Sequence, residues 1–427
     1  MKYLILHVGG LTVSPHAGPE QRTPLQRATT PHLDRLAASG DLGQVALPSD
    51  GFPFSSVLLQ MALLGYSPKK WYPGPSPLEA AGLGVSVGEQ DVVYRATMVT
   101  LRGGGPSSAD PAEGTGKRTT KVTDADIKKF GPHLILDDDS AGGIMTEEAR
   151  ELIDAVNEQL GSEAIQFYPG PEHRHLLVWA GGKVRMTCRD PREALGQPIG
   201  GCLPTGDGAD LLRKLMDASF VVMRDHPLND QRRDVGLKPA NCLWLWGPGR
   251  PTQWPHVLER YHLGGAILAT RDVNRGVGVC AGLEAVEQGG GSGSGLSALE
   301  PIADAALQEL GRKDLVYLFV ESGIGSDGQK DESDCSRWVE ALDCHVVGHL
   351  LNALPKYGPH RLLLVGDGGS SACPPAGPFP PAPVVLYDGV GTGRSGTGRR
   401  FTEIDAAASC AIPWDPTKLL PRLLARP

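Results

Sequence analysis

The chain has 427 residues, enough to bury a substantial core in more than one lobe. A net charge of −8 with 21% charged residues gives no basic footprint for nucleic acid. No apolar run reaches membrane-spanning length and the N-terminal apolar stretch lacks a charged leader and a cleavage site, so no signal peptide or transmembrane segment is expected, and the expected location is cytoplasmic or within a large intracellular assembly.

In chain order, short apolar runs at 2–8, 134–136, 176–179, 243–246, 315–320, 361–365 and 384–387 read as strands, several ending in Gly or Asp. They alternate with helical patterns at 147–160 (with Thr146 as N-cap), 302–310 and 335–354. This alternation predicts an α/β architecture with a largely parallel sheet flanked by helices. Trp244 and Trp246 alternate as on a half-buried strand and read as core. Three segments read as irregular: 102–117, the linker-like G-G-G-S-G-S-G at 289–295, and the Pro-rich 373–383. The eight cysteines form no C-x-x-C pair and no zinc-finger spacing. They read as buried reduced thiols, with Cys242 and Cys344 in apolar segments.

Longer blocks carry a family resemblance. They include D-G-F-P-F-S-S at 50–56, L-L-G-Y-S-P at 63–68, D-V-V-Y-R at 91–95, F-Y-P-G-P-E-H-R-H-L-L-V at 167–178, H-P-L-N-D-Q-R at 226–232 and P-A-N-C-L-W-L-W-G-P-G-R at 239–250. In these blocks the chain resembles the archaeal-type, cofactor-independent phosphoglycerate mutases of the alkaline phosphatase superfamily. The resemblance implies an alkaline-phosphatase-like core formed by residues 1–72 and 240–427, with a smaller α/β lobe, 73–239, inserted into it. It also implies two divalent cations, manganese or magnesium, and a serine that is transiently phosphorylated. That chemistry needs a base or metal to activate the serine, and positive charge on the phosphoryl oxygens. A cation pair about 3.5–4 Å apart serves both needs and requires Asp and His ligands.

Set against the family's motifs, the resemblance implies losses. The first-strand carboxylate is Gly9, the acidic neighbour of the nucleophile is Val57, and three ligand positions read Ile324, Gly328 and Gly368. An active-site histidine reads Gly143 and a lysine reads Ile302. Ser56 and Asp367 remain as vestiges. Ser56 reads either as the nucleophile or as the N-cap of the apolar run that follows it, and Asp367 either as a ligand or as a turn former. Asp327 and Asp331 lie near the lost aspartate. Arg95, Arg174, His175 and Arg232 match positions expected to contact phosphoglycerate; the other reading makes them salt-bridge residues. The sequence-level expectation is thus a catalytically inactive, mutase-like pseudoenzyme with no cofactor, serving as a structural subunit beside other protein subunits. The alternative is a metal-dependent 2,3-bisphosphoglycerate-independent mutase, or a phosphoglycerate-binding sensor.

Overall fold

The computed structural model describes residues 1–12, 22–47, 55–104, 129–286, 296–321, 332–368, 381–389 and 398–425. Ile324, Asp327, Gly328, Asp331, the segment 289–295 and most of 102–117 and 373–383 lie outside them. In chain order the strands are β1 (Lys2–Gly9), β2 (Asp41–Val45), β3 (Val92–Arg102), β4 (Ile135–Asp138), β5 (Ile165–Tyr168), β6 (Arg174–Trp179) and β7 (Met186–Thr187). They continue with β8 (Thr205–Gly206), β9 (Cys242–Gly249), β10 (Gly265–Ala269), β11 (Glu284–Ala285), β12 (Leu315–Glu321), β13 (His360–Gly366) and β14 (Ala382–Asp388).

The chain divides into two compact units, Met1–Tyr72 with Gln253–Pro427, and Pro73–Thr252. The first holds a seven-stranded sheet in the order β11-β10-β12-β1-β13-β14-β2. It is parallel from β11 to β13, and β14 runs antiparallel to both β13 and β2. Central strands covered on both faces need apolar side chains in succession rather than in alternation. β1 follows this rule and is buried from Tyr3 to Gly9. One face carries Leu4, Leu6, Val8, Val316, Leu318 and Leu364 into a core with Leu33, Leu36, Ile302, Leu342 and Leu350 from the covering helices. Ile302, which the resemblance sets against a family lysine, is thus a core residue.

The 335–354 pattern is not one regular helix. It runs as Glu332–Leu342, then a π-helical turn over Asp343–Gly348, then His349–Ala353. The π turn brings Asp343 against the N-terminus of the helix Pro31–Ser39, whose own N-cap Thr30 makes no side-chain bond. Asp343 accepts from His32 N at 3.1 Å and Leu33 N at 2.7 Å, filling two of the orphan donors at that terminus. Cys344 on the same turn is exposed, against the expectation of a buried thiol, because the apolar stripe of this helix passes through Val346 and Val347 instead.

The smaller unit is built on an antiparallel sheet in the order β4-β3-β6-β5, with β9 on the other side of β3. The pairing of β9 with β3 places the return to the larger unit at Gln253 rather than at residue 240. β3 shows no period-two pattern because both of its faces are covered. One face packs against the helices Thr146–Leu160 and Ala209–Arg224 through Leu152, Val156, Met216 and Phe220. Val93, Leu176 and Val178 on the other face meet Ala80 of the helix Pro75–Gly82. Thr146 is the first helical residue rather than the N-cap. Met145 holds the cap position, and its N–H donates to Glu148 Oε2 at 3.1 Å. Trp244 is buried, with its indole N–H donating to Arg189 O at 2.8 Å.

Candidate active site

In parallel α/β sheets ligands gather outside the carboxyl ends of the strands, and the polar residues of the larger unit gather there too. Ser56 opens the helix Ser56–Leu63, which is almost wholly apolar and buried. The N-cap is Ser55, without a side-chain cap bond, so the expected capping role of Ser56 is not realised. Its hydroxyl instead donates to Asp367 Oδ1 at 3.0 Å. Asp367 follows β13 and is fully buried, which separates it from an ordinary turn former. Its Oδ1 also accepts from Gly10 N at 3.4 Å, and its Oδ2 lies 2.6 Å from His7 Nε2.

His7 is the residue that sequence reasoning missed. Its signal was a lone polar side chain inside an otherwise apolar strand. Its other ring nitrogen, Nδ1, lies 2.8 Å from the Tyr317 hydroxyl. With Asp367 as a carboxylate, Nε2–H donates to it and Nδ1 accepts from Tyr317, which satisfies every member of the ladder. Burial, followed by the negative charge of Asp367, pushes the Tyr317 hydroxyl well above its ordinary value and keeps its proton in place. His7 and Phe319 are register partners whose rings meet edge to face with centroids 5.0 Å apart. Phe319 also stands over Gly9: a Cβ there would lie 3.0 Å from Phe319 Cζ. Glu321, the register partner of Gly9, is held by Arg271 Nη1 at 2.8 and 3.1 Å.

Of the four candidate binding residues in the smaller unit, the structure brings two together. Arg95 pairs in register with Leu176, and Thr97 with Arg174, so Arg95 and Arg174 are diagonal neighbours on one face of the sheet. Arg95 Nε donates to Glu79 Oε2 at 2.5 Å, and its guanidinium lies 4.9 Å from the Trp246 ring centroid. Trp246 in turn donates to Thr97 Oγ1 at 2.8 Å. Arg174 Nη2 lies 3.7 Å from Glu172, and its Nε is buried with no hydrogen-bond partner.

His175 points to the opposite face and is a core residue. Its Nδ1 accepts from Gly170 N at 3.1 Å. Burial, then the charges of His173 and Arg174, lower its pKa to about 3. Arg232 is also committed elsewhere. It donates to Lys238 O at 3.0 Å, Ala141 O at 2.8 Å and Glu148 Oε2 at 2.6 Å. These bonds brace the turn Ala141-Gly142-Gly143, in which three successive residues have φ of 52°, 65° and 66°. Gly143 suits this left-handed backbone.

A parallel sheet with its polar cluster at the strand ends and an antiparallel unit inserted after the cluster's helix is an alkaline-phosphatase-type architecture. The model of the 2,3-bisphosphoglycerate-independent phosphoglycerate mutases matches residues 37–229. A probable mutase of that kind from Geobacter sulfurreducens is 34% identical over 428 residues, covering 100% of each chain. The one from Methanothrix thermoacetophila is 32% identical over 368 residues, 86% of each. The chain therefore belongs to the 2,3-bisphosphoglycerate-independent phosphoglycerate mutase family. Among solved structures, a Pyrococcus horikoshii protein superposes with a TM-score of 0.71 at 20% identity, covering 99% of this chain and 96% of the other. The cofactor-independent phosphoglycerate mutase of Thermoplasma acidophilum gives 0.58 at 23% identity, covering 99% of both. Both share the fold.

Membership corrects the expectation of no cofactor. The family is one of metal-dependent mutases, so a divalent cation is the cofactor that the chain's relatives point to. The described residues do not by themselves fit such an ion. Among them no three His, Cys, Asp or Glu side chains converge, and Asp367 is engaged with His7 and Ser56. No helix among the described residues is long and apolar enough to cross a membrane.

Proposed function

We propose that this chain recognises phosphoglycerates, and that its reaction is the family's exchange of a phosphoryl group between the two hydroxyls of glycerate without free 2,3-bisphosphoglycerate. The observation that supports this most is the direct bond from Ser56 Oγ to Asp367 Oδ1, in a chain related end to end to a probable mutase. In this reading Ser56 is the phosphoryl acceptor and Asp367 takes its proton, the two atoms already being 3.0 Å apart. His7 fixes the Asp367 carboxylate from the other side. Within the smaller unit, Arg95 and Arg174 offer guanidinium donors suited to a phosphate or carboxylate anion.

The experiment is phosphorus NMR of 3-phosphoglycerate incubated with the purified protein and Mn²⁺, beside Ser56→Ala. Appearance of 2-phosphoglycerate that Ser56→Ala abolishes supports the reading. In parallel, 3-phosphoglycerate at about 100 times its Kd should add about 2.7 kcal/mol of stability. Arg95→Ala and Arg174→Ala should each weaken that response. No isomerisation and no thermal response would end this reading.

The packing of Phe319 over Gly9 favours a second one: a non-catalytic subunit that contributes its fold to an assembly of other proteins. Binding of phosphoglycerate without turnover, together with stoichiometric co-purifying proteins, would favour it.

A further inference from the structure

The resemblance places Gly9 where the family has a carboxylate at the end of β1, and the packing around Gly9 shows what a carboxylate would meet. A Cβ there would stand 3.0 Å from Phe319 Cζ, 3.4 Å from Phe319 Cε2 and 3.1 Å from Ser56 Oγ. Contacts this tight oblige the ring and the hydroxyl to give by a few tenths of an ångström before any side chain fits at residue 9. Two residues back on the same face of β1, His7 Nε2 lies 2.6 Å from Asp367 Oδ2. With the ring proton moved from Nε2 to Nδ1, where it donates to the Tyr317 hydroxyl, the imidazole offers Nε2 to Mn²⁺ beside a carboxylate oxygen, and Ser56 Oγ stands 3.0 Å from the other carboxylate oxygen. Glu321 does not complete the set, because Arg271 holds it.

We infer that Phe319 shuts the β1 position, and that among the described residues His7, Asp367 and Ser56 form the remaining part of a cation site that lacks the β1 ligand and the room for it. His7 is the element peculiar to this arrangement: it supplies from within β1 a ligand-capable group on the same face as Gly9. Phe319 and residue 9 then act as one unit. Changing residue 9 alone creates a clash, changing Phe319 alone creates a void, and changing both completes a set of two carboxylates and an imidazole around one point.

The test uses the full chain, freed of metal by chelation, and MnCl₂ as the probe. Wild type, Gly9→Asp, Phe319→Ala and the Gly9→Asp/Phe319→Ala double variant are compared by isothermal titration and by the rise in Tm at about 1 mM Mn²⁺. Gly9→Asp should melt below wild type and respond to Mn²⁺ no more than wild type does. The double variant should bind Mn²⁺ at least about tenfold tighter than wild type. Adding His7→Gln to it should remove that gain. The inference is overturned if Gly9→Asp alone gains as much as the double variant, or if the double variant binds no tighter than Phe319→Ala. If Gly9→Asp does not fold, the comparison of Phe319→Ala with the double variant carries the test alone. Phosphoglycerate enters none of these measurements, so their outcome is independent of the proposed reaction.

Discussion

Replacing Arg232 separates a structural arginine from a substrate-binding one. The side chain is 2% exposed and serves two backbone carbonyls and one carboxylate. Arg232→Ala leaves Ala141 O and Lys238 O without that donor, at about 1–3 kcal/mol each. The Glu148 pair adds little, because that carboxylate is 27% exposed and its attraction is screened by water. The expected loss is therefore about 2–6 kcal/mol. In a unit of this size each kcal/mol moves Tm by about 2–4 °C, so a fall on the order of 10 °C is expected in thermal unfolding followed by circular dichroism. Arg232→Lys keeps the charge but cannot reach both carbonyls and the carboxylate, so it should recover only a fraction of the loss. The reasoning is refuted if Arg232→Ala melts within about 2 °C of wild type while losing its response to 3-phosphoglycerate.

Two further outcomes follow from buried groups. The unfolded chain takes up a proton on His175 near its ordinary value of 6.5, whereas the folded chain refuses it down to about 3. The contribution of His175 to stability is therefore full above about pH 6.5 and is lost as pH falls towards 3. His175→Gln should flatten the slope of stability against pH in that window by about one proton, or about 1.4 kcal/mol per pH unit in denaturant titrations. An unchanged slope would show that His175 is not held neutral. For the thiols, burial pushes Cys242 up to about 12, whereas Cys344 is exposed. A disulfide reagent at about pH 8 should label Cys344 in the native protein and reach Cys242 only on unfolding, with peptide mapping as the readout. Labelling of both at equal rates would contradict the described packing.

The strands of the parallel sheet were legible because strands covered on both sides must be apolar throughout, and runs such as 315–320 and 362–365 are. The long strand β3 was legible only as a motif, since covering both faces erased its period. At the site, Ser56 and Asp367 could be named from their motifs, but their bond could not, because it joins positions 311 residues apart. His7 carried a readable signal, a polar residue in a buried strand, yet its partners are distant in sequence, Tyr317 on β12 and Asp367 just past the end of β13. The four residues matched as phosphoglycerate contacts separate for a geometric reason. Strand alternation sends neighbours Arg174 and His175 to opposite faces, and Arg232 is consumed by a turn whose left-handed backbone no motif announces.

The π turn at Asp343–Gly348 has a consequence for insertions and deletions in this chain. Such turns accommodate one extra residue within a helix. Removing a single residue there would restore ordinary winding and leave the residues downstream on their present faces, whereas removing one from the regular turns of Glu332–Leu342 would roll everything downstream by about 100°. In the second case Leu350, Leu351 and Leu354 would swing out of the core, and the Asp343 carboxylate would lift from the helix it caps. A one-codon deletion is therefore tolerated within the turn and costly before it.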